Sequence, residues 1–454
     1  MSTYAHAHEF RRYRAPAPYA RAIAGTGTLA MSARHRRLRA RDLGAPIFLV
    51  TLSLAGIGWA FPENLSLWRS ISIIAAWAGT GLLVGSLALM VREPRWSGML
   101  GGLDTMYLWH HRAGVIGYVL LLCHPLALGM SGLGESARAA WLAIAPWYLS
   151  WPEWLGWFGL LFLMGGLATT FSRRMGYRRW RALHYLAALG AISGLAHVVV
   201  IVGDAGAFLA FIGLATVALA WRLLATDRGL SAHPYRVTHV TSKALDTIEA
   251  SLAPCGGALP VKPGQFVLAA FGDGPVYRGC GEFHPFSVSG IGRGGVLTVG
   301  VKALGPCTRR IQSLEPGTLV RLQGPFGRFL ADNAEKPQLW IAGGIGITPF
   351  MAAIRSGKLA RTTTLIYLYR EARDAAFLDE LKSRADVDPD FELIAEASGE
   401  SFPDVSAMLS RVSCIGQRQV EICGPKGLVT AVTARLRELG QPAQSIQFES
   451  FDFR

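Results

Sequence analysis

Charge is scarce in this chain, and acidic charge most of all. Its 454 residues hold 31 Asp and Glu against 45 Lys and Arg, and only 17% are charged while 51% are hydrophobic. Soluble domains carry about 25% charged residues, and here the shortage is uneven. The first half is apolar and the second half reads as soluble, so two or three domains are expected at this length. The six cysteines (Cys123, Cys255, Cys280, Cys307, Cys414, Cys423) show no C-x-x-C spacing, which argues against a disulfide framework or a zinc motif. Residues 1–45 lack the apolar run and cleavage site of a secretory signal. They read as a basic cytoplasmic extension.

The net charge of +14 raises nucleic acid as a partner, and its placement argues against one. The arginines crowd at Arg11, Arg12, Arg14, Arg21, Arg34, Arg36, Arg37, Arg39 and Arg41, and again from Arg173 to Arg181. Both groups flank apolar runs, which is the positive-inside pattern of a membrane protein, with attraction to anionic lipid added. The runs lie at about 46–62, 70–91, 106–130, 153–172, 182–203 and 206–224, and the first is short for a bilayer about 30 Å thick. Six spans with arginine-rich links after the second and fourth put both termini in the cytoplasm of a cell (inner) membrane. The opposite face bears Glu63, Glu135, Glu153 and Asp204. Trp141, Trp147, Trp151, Trp154 and Trp157 gather beside the loop between the third and fourth spans and read as an interfacial belt.

Two of these spans carry histidines at nearly matching spacing, His110 with His124 and His184 with His197. At about 1.5 Å per helical residue the pairs are separated by roughly 21 and 20 Å. Ionisable side chains at membrane depth mark functional sites, and imidazole is an axial ligand of haem iron. The pairs therefore suggest two haems stacked across the bilayer, with His110 and His184 at the inner face. Fourteen residues leave His110 and His124 about 40° apart on an ideal helix, whereas thirteen leave His184 and His197 about 140° apart. A bend, a local distortion or rotated haem planes must supply the difference. His111 competes with His110, which is preferred because HHRAG places a glycine four residues after it.

Past Trp221 the pattern changes to short alternating runs. YRVTHV, GQFVLAAF, GVLTVGVKAL and TLVRLQGPFG read as strands of a small antiparallel barrel. From Gln338 onward strands alternate with helices: LWIAGGIG, TLIYLYR, FELIAEA and VEICGP, with a helix near Asp374–Ser383. That order predicts a parallel, doubly wound sheet.

Four motifs fall in this half. In HPFSVSG, Phe286 could lie along a flavin and Ser287 hydrogen-bond its ring edge. VKALGPCTRR, with Lys302, Arg309 and the backbone at Thr308, adds a pyrophosphate site. In IAGGIGITP, Gly343, Gly344 and Gly346 follow a strand and open a helix, where backbone amides can meet a phosphate. ICGP ends another strand of the sheet, where Cys423 would face a crevice.

HPFS, GPFG, GGIGITP, CGP and the terminal FESFDFR, in this order, resemble the ferric reductase and NADPH oxidase superfamily over residues 46–454. The resemblance implies a six-helix transmembrane bundle with two b-type haems, fused to a ferredoxin-reductase-like module made of an FAD-binding β-barrel and an α/β nucleotide domain. The implied divisions are 1–45, 46–225, 232–333 and 334–454. It implies His110, His124, His184 and His197 as haem-iron ligands. His284, Pro285, Phe286, Ser287, Lys302 and Thr308 fall to FAD. Gly343, Gly344, Gly346, Thr348, Pro349, Arg370, Cys423, Gly424 and Pro425 fall to NADPH or NADH. Phe451 is implied to cover the flavin, with Phe453 as its rival, since the chain ends on Arg454. Electrons would run from cytosolic NAD(P)H through FAD and the haems to oxygen or a ferric chelate outside; delivery to a separate periplasmic protein is the alternative. Leu128 stands where some oxidases carry a further histidine, and Arg69 is the nearest outer cation, so the acceptor stays open.

Overall fold

A computed structural model describes residues 43–59, 65–171, 175–202, 206–331, 336–357, 359 and 362–450. The basic extension expected at 1–45 lies almost entirely outside the described residues. Six helices occupy the six apolar runs: α1 Gly44–Trp59, α2 Leu67–Ala88, α3 Leu103–Leu133, α4 Trp151–Ala168, α5 Tyr177–Val202 and α6 Gly206–Ala220. By length and composition, four stretches among the described residues suffice to cross a membrane: Leu67–Ala88, Leu103–Leu133, Arg179–Val202 and Ala210–Asp227. The 16 residues of α1 span about 24 Å, short of a bilayer of about 30 Å. Small residues let the helices approach closely, as membrane packing requires. A Cβ on Gly79 would stand 3.0 Å from the Gly117 carbonyl oxygen, and one on Gly117 would stand 3.2 Å from that of Gly79, so α2 and α3 cross on this pair.

At its end α6 widens into a π-helical turn, Trp221–Asp227, and the chain enters a closed antiparallel barrel. Its strands are β1 His233–Ala244, β2 Thr247–Pro254, β3 Phe266–Phe271, β4 His284–Ile291, β5 Leu297–Lys302 and β6 Leu319–Phe326, in spatial order β1-β2-β5-β4-β3-β6. Strand alternation divides β3 cleanly. Val267 and Ala269 fill the barrel interior with Val237, Val288 and Val299. Phe266 and Leu268 point the other way and, with Phe326, join Leu49, Leu103, Met106 and Ala113 in one buried cluster. The barrel wall and the adjoining helix ends thus share an apolar core.

The last segment is a parallel sheet in the order β11-β10-β7-β8-β9, with β7 Gln338–Gly343, β8 Thr363–Tyr369, β9 Phe391–Ala397, β10 Gln419–Gly424 and β11 Ile446–Ser450. Hydrophobic clusters lie on both of its faces, as a doubly wound sheet requires. Around it run α8 Thr348–Arg355, α9 Leu378–Val387 and α10 Lys426–Glu438, preceded in the chain by the short α7 Pro306–Ile311 in the barrel. The strand order reverses between β7 and β10, and the crevice at their carboxyl ends is where such sheets take ligands.

Candidate functional site

Each of the four intramembrane histidines turns its Nδ1 to a backbone carbonyl of a neighbouring helix. His110 Nδ1 lies 2.9 Å from the Ser86 carbonyl oxygen and 2.8 Å from Ser86 Oγ. His124 repeats the contact fourteen residues on, 3.1 Å from the Ser72 carbonyl oxygen and 2.9 Å from its Oγ. His184 Nδ1 faces the Gly166 carbonyl at 3.4 Å and His197 Nδ1 the Pro152 carbonyl at 2.8 Å. A carbonyl oxygen only accepts, so Nδ1 carries the proton and Nε2 keeps its lone pair. That arrangement orients a metal-binding imidazole.

The His110 and His184 rings stand with centroids 6.1 Å apart, at 77° to one another. Imidazole–metal bonds of about 2.0 Å put two rings on one ion about 6 Å apart, so this pair fits the bis-histidine ligation of a haem iron. His111 is exposed while His110 meets Ser86 and His184. On α5, helical without interruption, thirteen residues separate histidines whose carbonyl partners on α4 are fourteen apart. The two bonds differ accordingly, at 3.4 and 2.8 Å. A Cβ on Gly156 would stand 3.2 Å from His197 Nδ1, so only glycine lets α4 come so near that ring. Ser72, Ser86 and Gly156 were missed in the sequence; the one available signal was that Ser72 and Ser86 repeat the fourteen-residue interval of the histidines they hold.

Antiparallel pairing brings the start of β4 to the end of β5, so HPFS and VKALGPCT meet at one mouth of the barrel. His284 Nε2 lies 3.4 Å from Cys280 Sγ. Pro285 is half-buried, and Phe286 is buried with its ring edge-on to Phe271 at 6.0 Å. Ser287 is buried beside it. Lys302 closes β5, opposite Thr247. Thr308 Oγ1 accepts from the amides of Leu304 and Gly305 at 2.9 and 2.8 Å, which commits its hydroxyl to holding the turn before α7. Burial raises the Cys280 thiol, but its bonds with His284 and Cys307 outweigh this and bring it down to about 7. Cys307 is pushed up to about 12 by burial and by Cys280.

At the crevice of the sheet the glycines of GGIGITP are demanded by contact. A Cβ on Gly346 would stand 2.3 Å from the Cys423 carbonyl oxygen, and one on Gly343 would stand 2.9 Å from Pro425 Cδ. The ends of β7 and β10 therefore touch, and Gly344 turns between them with φ of 56°. Thr348 Oγ1 donates to the Ile345 carbonyl at 2.9 Å, and Pro349 occupies the first turn of α8, where its missing N–H costs nothing. Gly424 and Pro425 lead into α10. Arg370, just past β8, is exposed. Cys423 is fully buried, and its thiol is pushed well up by burial and then by Glu449.

Glu449 pairs with Cys423 across the β10–β11 ladder, and its carboxyl is pushed up to about 8 by burial, then by Asp104 and Glu421. Sequence reading passed it over, although it stands two residues before Phe451. Phe451 and Phe453 themselves lie outside the described residues. A second omission is Arg355 at the end of α8. It donates to Glu249 of the barrel at 2.6 Å and to Glu380 of α9 at 2.6 Å, tying the parallel sheet's helices to β2.

Residues 75–195 match the family model described as ferric reductase like transmembrane component. In this segment the chain is similar to the transmembrane component of ferric reductases. The segment contains His110, His124 and His184 and stops two residues short of His197. Among curated proteins, the chain is 28% identical over 233 residues to a flavohemoprotein of Pseudomonas putida, covering 48% of this chain and 58% of that one. It is 28% identical over 207 residues to an NADPH oxidoreductase of Mycobacterium tuberculosis, 43% of this chain and 53% of the other. The chain thus spans just over half the length of these relatives. Among solved structures, the FAD/NAD binding domain of a Vibrio cholerae nitric oxide dioxygenase aligns with TM-score 0.42 at 22% identity, over 48% of this chain and 98% of that one.

Proposed function

We propose that the protein carries electrons from NAD(P)H on the cytoplasmic side of a cell membrane to an acceptor on the outer side, oxygen or a ferric chelate. The units in this reading are 46–225 for the haem bundle, 232–333 for the flavin barrel and 334–454 for the nucleotide domain, with both termini cytoplasmic. FAD would accept a hydride and release single electrons, and two b-type haems would relay them across the bilayer. His110 with His184, and His124 with His197, would hold the two irons through Nε2. With two histidines holding each iron, the haems would supply single-electron transfer to the acceptor.

The chain's own residues do the positioning. His284, Pro285, Phe286, Ser287, Lys302 and Thr308 would line the flavin groove. Gly343, Gly344, Gly346, Thr348, Pro349, Gly424 and Pro425 would seat the dinucleotide phosphates, with Arg370 at the ribose phosphate and Cys423 behind the nicotinamide. Phe451 would cover the flavin until the nicotinamide takes its place. The observation that carries the proposal is the common pose of the four histidines, each with Nδ1 spent on a backbone carbonyl and Nε2 left for a metal. Purified protein given NADPH with oxygen, with ferric chelate and with neither tests the acceptor. Haem reduction by NADPH supports the relay; reduced flavin beside haems that stay oxidised would refute it.

A further inference from the structure

At the edge of the flavin groove lies a cluster whose two cysteines the electron path does not use. Cys280 Sγ, Cys307 Sγ and an imidazole nitrogen of His284 all lie within 4.8 Å of one another. The three come from the loop before β4, the start of β4 and the first turn of α7, so the fold assembles what no local spacing announces. Two thiolate sulfurs and one imidazole nitrogen form a soft donor set that selects zinc over calcium or magnesium. Bond lengths of about 2.3 Å to sulfur and 2.0 Å to nitrogen make the sulfur-to-nitrogen edge of a tetrahedron about 3.5 Å. The observed Cys280 Sγ to His284 Nε2 distance is 3.4 Å, so that edge needs almost no rearrangement.

Two further groups complete the surroundings. The Glu282 carboxylate lies 4.0 Å from Cys307 Sγ, close enough to enter the fourth position. The Tyr277 side chain is 3% exposed, its hydroxyl is buried with no hydrogen-bond partner, and it stands within electrostatic reach of Cys280 and Cys307. A water on the metal would give that hydroxyl the partner it lacks, and a buried polar group left unpaired costs about 1–3 kcal/mol.

We propose that Cys280, His284 and Cys307 form a site for a thiophilic divalent cation, with Zn2+ as the natural occupant. The site is separate from the haem histidines and does not depend on the flavin reading. Should FAD also use His284, the two ligands would exclude one another, so the test is run on flavin-loaded and on flavin-stripped protein. The full-length protein in detergent, kept under a non-chelating reductant, is equilibrated with Zn2+ and freed of excess. Metal content and zinc-edge X-ray absorption are then measured. The expected result is one zinc per chain in at least one of the two forms, with two sulfur neighbours. Cys280→Ser and Cys307→Ser should each weaken retention at least about tenfold, while Cys255→Ser, at an exposed cysteine, leaves it unchanged. Unaltered haem absorption in the variants shows that they are folded. Zinc absent from both forms, zinc bound without sulfur, or zinc held equally by the variants would overturn the site.

Discussion

Gln323 Nε2 donates to the Thr226 carbonyl oxygen at 2.8 Å and reaches that of Ala225 at 3.3 Å, binding barrel strand β6 to the widened end of the last membrane helix. The last carbonyls of a helix have no donor within it. Here the barrel supplies the donors: Arg321 Nη1 adds a bond to the Arg228 carbonyl at 2.7 Å. The junction is buried, with Gln323 at 2% exposure and Thr226 at 0%. It ties the barrel to the end of the helix that follows the His184 helix in the chain.

Gln323→Leu is therefore expected to slow haem reduction while leaving flavin reduction by NADPH unchanged, and to cost about 1–3 kcal/mol of stability for the Thr226 carbonyl left unpaired. Stopped-flow spectra that follow flavin and haem separately decide this. Equal slowing of both would mean that Gln323 supports the barrel alone.

Arg370→Ala should weaken NADPH far more than NADH, because a guanidinium suits a 2′-phosphate. A charged hydrogen bond worth about 1.5–3 kcal/mol corresponds to roughly ten- to a hundredfold in affinity. Steady-state kinetics with both nucleotides measure it, and an equal loss for both would remove Arg370 from phosphate recognition.

Much of this architecture was legible because its signals are local. The apolar runs fell on α1–α6, and alternation marked β1, β3, β5 and β6 of the barrel. β2 and β11 escaped notice: TIEASLAP pairs with β1 across a two-residue turn and with β5, Glu249 opposite Gly300, while IQFES takes its strand from β10, Phe448 opposite Ile422. The four histidines were visible as residues out of place in hydrocarbon. Their Ser72, Ser86, Gly166 and Pro152 partners were not, since those contacts depend on which helices become neighbours. Glu449 was hidden for the same reason, its shift arising from burial in the fold and then from Asp104 and Glu421, both distant in sequence.

Glu449 gives the fold a pH dependence whose sign follows from its shift. The folded carboxyl titrates at about 8 against an ordinary value of 4.5. Below the ordinary value both states are protonated and its contribution is complete; as pH rises toward about 8 the unfolded state ionises first and stability falls. Thermal unfolding of the detergent-solubilised protein should show a melting temperature that declines from pH 5 to pH 8, with the slope reduced in Glu449→Gln. An identical slope in the variant would assign the decline to other groups.

Phe451→Ala should speed flavin reduction or lower the apparent KM for NADPH, because stacking worth about 0.5–1.5 kcal/mol no longer has to be displaced. Stopped-flow reduction under excess FAD separates this from weaker flavin retention. A change in Phe453→Ala with none in Phe451→Ala would move the role to Phe453, and no change in either would end the gating idea.

The central claim is that four histidines hold two haems in series, and haem content per chain in His197→Leu tests it most directly. Pyridine haemochrome analysis should find about half the wild-type haem, with flavin reduction by NADPH intact and His111→Leu retaining the full amount. Full haem content with an unchanged spectrum in His197→Leu would contradict the account.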